Sequence, residues 1–261
     1  MTMTDYYFLA TALPDLQLGY PPDITFQGFS NLLKANLSPE DYRKSIVMRR
    51  YYDIQNIRSF LKKEEIDFRG VFDENELEDA ILTYSGFPDY VYDFLDHYEN
   101  TEDRLHHFPM LISNYFKIES ENATGFLHDY LTFEREWRLV LTGFRAKKMG
   151  RDLAEELQYE DPDDDIVMQI LAQKDAQTYD PPDRYSDLKP LFDEHSDSPV
   201  ELYQALCEYR YAKIEELMGT YQFSVDRVLG YLAQLVIVER WLELDKKKGL
   251  EIVDKIVKES S

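Results

Sequence analysis

Residues 38–63 read SPEDYRKSIVMRRYYDIQNIRSFLKK. Ser38 before Pro39, with an acid at Asp41, is helix-start grammar. The hydroxyl can accept a free first-turn N–H, proline has no N–H to leave unpaired, and carboxylates suit the positive end of the helix dipole. The spacing predicts a helix that opens at Pro39 and runs to about Lys63, roughly 36 Å at 1.5 Å per residue. On a helical wheel Tyr42, Ile46, Val47, Tyr51, Ile54, Ile57, Phe60 and Leu61 fill one half, with Arg50 inside that half and Asp53 at its edge. One face is built for burial.

The same grammar recurs outward from this stretch. Ser198, Pro199 and Glu201 form a capping-box pattern that starts a helix closing near Gly219. Ser224 caps a longer helix, with Lys246, Lys247 and Lys248 before a stop expected at Gly249. Its stripe of Val225, Val228, Leu229, Leu232, Leu235 and Val236 continues into Ile237, Val238, Trp241, Leu242 and Leu244, so it should be covered on several sides. Shorter helical patterns occupy Asp73 to Tyr84, Pro88 to Tyr98, Leu105 to Ile118, Thr124 to Lys148 and Ile166 to Lys174. The best strand signal is Tyr6 to Leu13, where aromatic and aliphatic residues crowd without clear alternation. The expected fold is all-α, built of consecutive small helical bundles, with a short N-terminal strand left open. Residues 1–100 and 101–177 read as an N-terminal and a middle helical unit. Residues 178–198 read as a proline-rich linker and 199–261 as a C-terminal helical hairpin packing on the rest.

With 51 Asp and Glu against 29 Lys and Arg, a formal charge of −22 repels phosphate backbones and anionic lipid surfaces, so nucleic acid is excluded as an expected partner. A lone cysteine, Cys207, rules out an intrachain disulfide and a thiolate zinc site; it reads as a small buried hydrophobe in a cytoplasmic protein. No basic residue precedes the apolar stretch at Tyr6, which argues against a signal peptide. The most apolar segment, Tyr231 to Leu244, is broken by Gln234, Glu239, Arg240 and Glu243, so no direct membrane insertion is expected.

Catalytic and metal patterns are missing. There is no phosphate loop of the GxxxxGK[ST] type and no HExxH. His106 and His107 are adjacent on a helix and point about 100° apart. Asp161, Asp163 and Asp165 imitate the start of a calcium loop, but Ile166 stands where glycine is required and Ala172 where the bidentate Glu belongs. No catalytic, cofactor-binding or metal-ligating residue is nominated, and no cofactor is expected.

Three helices instead carry an acid on or beside an apolar stripe: Asp53 in the first, Glu136 beside Phe133, Trp137, Val140, Leu141 and Phe144, and Glu239 within the last. Shifting the first by 83 positions lays Asp53 on Glu136, Leu61 on Phe144 and Lys62 on Arg145, a pattern that an internal repeat and chance explain equally well. An unpaired charge at such positions would be costly. Glu239 should therefore meet Arg50, Arg145 or a buried hydrogen-bond donor.

Tyr52-Asp53-x-x-Asn56-Ile57, the segment from Glu136 that ends Phe144-Arg145-Ala146-Lys147, and the Glu239 helix resemble the C/d family of V/A-type rotary ATPase subunits. Tyr6-Tyr7-Phe8-Leu9 with Leu13-Pro14, and Asp67-Phe68-Arg69-Gly70, resemble an uncharacterised bacterial family whose members accompany such ATPase genes. The resemblance implies a non-catalytic funnel of three helical bundles, joining the central stalk to the membrane proteolipid ring and transmitting torque. The chain would then be associated with the membrane through the complex, and Asp53, Asn56, Glu136, Arg145 and Glu239 would orient helices rather than bind a ligand. This chain is shorter than that family pattern, so one bundle would be trimmed or missing. A stand-alone cytoplasmic helical adaptor, or an ATPase assembly factor, explains the amphipathic helices as well.

Overall fold

A computed structural model describes residues 6–220 and 222–259, with side chains in the last helix as far as Lys246. Among these residues there are α-helices and one 3-10 turn but no strand, an all-α fold. In chain order the helices are α1 (Tyr7–Ala12), α2 (Phe26–Asn36), α3 (Pro39–Lys62), α4 (Glu74–Thr83), α5 (Asp89–His97), α6 (Thr101–His106), α7 (Phe108–Glu121), α8 (Phe126–Met149), α9 (Leu153–Glu156), α10 (Asp165–Leu171), α11 (Leu188–His195), α12 (Pro199–Leu217) and α13 (Val225–Glu259). By internal contacts the chain forms two compact units, residues 46–194 and the two chain ends, 1–45 with 195–261. From sequence alone residues 1–100 group together instead, because the packing of α2 against α13 leaves no local mark.

In the unit formed by the chain ends, α12 and α13 make an antiparallel hairpin on which α2 and α1 lie. Every residue from Val228 to Val238 is buried, so this stretch of α13 is covered all round. Trp241, Leu242 and Leu244 further on are only half-buried. The stop expected at Gly249 does not occur, and α13 continues to Glu259. One glycine in a helix costs only about 1 kcal/mol relative to alanine, which strong helix formers on both sides outweigh. The residues 6–13 that offered a strand form α1 instead. Their entry is fixed by Tyr6, whose N–H donates to the Phe223 carbonyl at 2.8 Å and whose hydroxyl donates to Asp41 at 2.6 Å. Asp41 also meets Lys44 at 2.7 Å, and Ser38 caps α3 as its sequence implies, its hydroxyl accepting from the Asp41 N–H at 3.1 Å.

The contiguous unit is centred on the pair α7 and α8. α8 lies between Gly125 and Gly150, both at positive φ, and buries Phe133, Trp137, Val140, Leu141 and Phe144. These are the residues its sequence stripe marks, and each full burial contributes about 1.5–3 kcal/mol. α5 packs on α7, and α9 and α10 pack on α8. Where the sequence suggested one helix from Leu105 to Ile118, there are two. Asn100 caps α6, and α7 begins afresh at Phe108 because Pro109 has no N–H to continue the earlier ladder. The stretch 178–198, read as linker, contains the 3-10 turn Asp183–Tyr185 and α11.

Gly143 marks one of the two closest approaches in this unit. A Cβ there would lie within the van der Waals envelope of the Tyr179 ring, which also packs edge-on against Phe144. Alanine is the better helix former by about 1 kcal/mol. Overpacking against a buried ring opposes it by about 1–3 kcal/mol. Gly143→Ala is therefore expected to lower stability, read as a fall in urea midpoint at unchanged m-value; a raised midpoint would show that Tyr179 yields without loss.

Candidate functional site: a buried polar latch

Arg49, Asp53 and Asn56 are spaced four and three apart, which stacks them on one face of α3. All three are buried, and Asp53 and Asn56 are each 1% exposed. What covers them is the loop after α3. Asn56 grips Asp67 from both sides: its Nδ2 donates to the Asp67 carbonyl at 2.8 Å, and its Oδ1 accepts the Asp67 N–H at 2.7 Å. Asp53 Oδ1 accepts the backbone N–H of Val71 at 2.7 Å and of Phe72 at 3.1 Å. The Arg49 guanidinium donates to the carbonyls of Arg69, at 3.1 Å, and Gly70. Loop groups that would otherwise lack helix or sheet partners are thus satisfied by one helix face.

The loop residues conform to this arrangement. Asp67 folds back to accept the Arg69 N–H at 2.9 Å and its guanidinium at 3.2 Å, while Arg69 is almost wholly buried and lies 4.7 Å from the exposed Phe68 ring. Gly70 has no room for a side chain, because a Cβ would run into the Asp53 carboxylate. Burial pushes the Asp53 carboxyl up to about 6, against the pull of the two N–H donors and of Arg49 and Arg50. These contacts make a latch that holds residues 67–72 on α3.

The other expected positions lie apart from this latch. Glu136 on α8 is clamped by Arg184 at 2.7 Å and by the Tyr185 hydroxyl at 2.9 Å, which ties the 3-10 turn to α8. Arg145 is exposed. Glu239 belongs to the unit of the chain ends, where its Oε1 accepts the Phe26 N–H at 2.8 Å. That donor is the first free N–H of α2, and Thr25 covers another by accepting from Gly28 at 3.1 Å. Of the partners expected for Glu239, a buried hydrogen-bond donor is present, the Phe26 N–H. Arg50 is engaged with Glu119 at 2.5 Å, and Glu119 also accepts from Tyr90 at 2.9 Å.

Arg49, Arg184 and Tyr185 do not stand out in the sequence, and Asp67-Phe68-Arg69-Gly70 stands out as a motif without showing that its backbone meets α3. The spacing of Arg49 to Asp53 and Asn56 is the available signal for the first; nothing local marks Arg184 or Tyr185. His107 Nδ1 is hydrogen-bonded to the Tyr159 hydroxyl, Asp164 caps α10 beside the failed calcium loop, and Cys207 is buried, with burial raising its thiol. Among the described residues no cluster of three His, Cys, Asp or Glu side chains could hold a metal.

Two outcomes are expected. Asp53 in the folded chain holds its proton to higher pH than in the unfolded chain, so between about pH 4 and 6 the folded state binds more protons and stability falls as pH rises. Asp53→Asn removes this slope: the wild-type stability relative to the variant should drop by about 3 kcal/mol across that window, measured by urea melts at several pH values. Parallel curves would place the titration elsewhere. For Glu239, which accepts the Phe26 N–H, replacement by alanine should cost about 1–2 kcal/mol, and Glu239→Gln less than half as much because its amide oxygen still accepts. Equal losses in the two variants would show that the Phe26 hydrogen bond is not what Glu239 contributes.

Comparison with known proteins places the chain among bacterial relatives. It is 29% identical over 258 residues to an uncharacterised protein of Chlamydia muridarum, with 97% of each chain covered. A Chlamydia trachomatis protein matches at 29% over 258 residues, again 97% of each. One from Chlamydia pneumoniae matches at 30% over 262 residues, 98% of each. No solved structure matches. A family pattern described as "Protein of unknown function (DUF2764)" matches residues 3–260, and the chain belongs to that family.

Proposed function

We propose that this chain is a non-catalytic helical component of a V/A-type rotary ATPase, a socket between the central stalk and the membrane proteolipid ring on the cytoplasmic side. The observation that carries the reading is how four of the five motif residues are used. Asp53, Asn56, Glu136 and Glu239 each bind the chain's own backbone or side chains, as expected of residues that orient helices in a load-bearing part. The all-α architecture agrees with that role. Among the described residues no helix is long and apolar enough to cross a membrane, and such a socket reaches the bilayer through the ring. The acidic surface suits basic protein partners.

The test is affinity capture of the tagged chain from native membranes, solubilised in mild detergent, with the co-purifying proteins identified. Stalk and proteolipid components are expected in constant proportion. Recovery of no ATPase component would overturn the reading in favour of a stand-alone adaptor, and recovery with stalk proteins alone, never with the ring, would point to an assembly factor.

A further inference from the structure

Residues 174–180 lie against α8 as a strap with one buried side chain. Lys174, Asp175, Ala176, Gln177, Thr178 and Asp180 are exposed, whereas Tyr179 is 5% exposed. The flanks of the strap are fixed: α10 packs on α8 before it, and after it Pro181 and Pro182 are buried and the Tyr185 hydroxyl is bonded to Glu136. Between these points the polar ties are all at the surface. Lys147 Nζ donates to the carbonyls of Lys174 at 2.6 Å and Ala176 at 2.7 Å, the Gln173 amide accepts the Asp180 N–H at 2.7 Å and donates back to the Asp180 carbonyl, and Lys189 pairs with Asp180. Water competes for each of them, so they hold the strap weakly.

The remaining anchor is the Tyr179 ring. It fits where Gly143 has no side chain and packs edge-on against Phe144, ring centres 4.8 Å apart. Phe144 is also stacked at 3.8 Å by Phe192 of α11, so it keeps a ring partner that the strap does not supply. The fault lies at the tip of the anchor. The Tyr179 hydroxyl is buried and makes no hydrogen bond among the described residues, and burial pushes it above the usual phenol range. Taking a hydroxyl out of water without a partner costs an amount comparable with what burying an aromatic side chain gains. The anchor is therefore weak for its size, and its oxygen is better satisfied in water than in the slot.

From this imbalance we propose that residues 174–180 are a releasable strap, which comes off α8 between its fixed flanks as a local unit, carrying Tyr179 into water and uncovering the Gly143 face and Lys147. The slot matches a phenyl ring, and the resident tyrosine differs from one by the oxygen that favours release. The pairing of α7 with α8 takes no part in the motion.

The test is native-state hydrogen exchange on the full chain at several low urea concentrations. It compares the Asp180 amide, which Gln173 protects, with the α8 amides of Val140 and Leu141. In the wild type, protection at Asp180 should be lower than in α8 by about a hundredfold or more and almost independent of urea, the mark of local opening. Tyr179→Phe keeps the ring and removes the unpartnered oxygen, so protection at Asp180 should rise about fivefold or more. Tyr179→Ala should abolish protection at Asp180 while α8 stays protected and circular dichroism is unchanged. A single protection and a single urea slope shared by Asp180 and α8 would overturn the proposal. So would exchange at Asp180 that is no slower in Tyr179→Phe, or a Tyr179→Ala chain that unfolds or loses its protection in α8 as well.

Discussion

A carboxylate shut away from water must find donors, and in the contiguous unit Asp53 finds them on a backbone that lies 18 and 19 residues downstream. That constraint sets the path of the chain after α3. The loop turns back so that the N–H groups of Val71 and Phe72 reach the carboxylate, Gly70 stays without a side chain, and α4 starts just beyond at its own capping box, Asp73 with Glu76. Removing the acceptor would leave two buried N–H groups to be satisfied elsewhere, each worth about 1–3 kcal/mol. Asn56 and Arg49 extend the same solution to Asp67, Arg69 and Gly70, so one helix face supplies the hydrogen bonds of a whole loop.

The same device recurs under different local rules. Glu239 serves the first turn of α2, Glu136 serves the turn at Arg184 and Tyr185, and Asp41 draws in Tyr6 at the entry to α1. In a chain with 51 acids this gives a task to side chains that would otherwise only repel one another. Glu239 accepts a backbone N–H at a helix start, as Asp53 does in its loop, whereas Glu136 and Asp41 are satisfied by side-chain donors.

Much of this is legible in the sequence, and the boundary of legibility is physical. Ser38, Ser198 and Ser224 mark helix starts because capping is local, needing only the next three residues. The stripe on α8 is readable because its spacing alone fixes which side chains share a face. Residues 6–13 mislead because a short aromatic run has no decisive period; the Tyr6 anchors that settle its conformation come from residues 41 and 223. Asp53 and Asn56 stand out, yet their partners do not, since a backbone N–H has no letter in the sequence. For the same reason nothing in the sequence shows that Glu239 accepts the Phe26 N–H.

The division of the chain also orders its birth. Residues 46–194 are contiguous and can complete their internal contacts as soon as that stretch has left the ribosome. The other unit cannot: α1 and α2 emerge first, but the surface of α13 on which they rest is made last. Through most of synthesis Phe26, Phe29 and Leu33, each fully buried at the end, have nothing of their own unit to lie against. Their apolar face must be shielded or left idle until α13 has been added, which makes the amino-terminal helices of a nascent chain the part most in need of a chaperone.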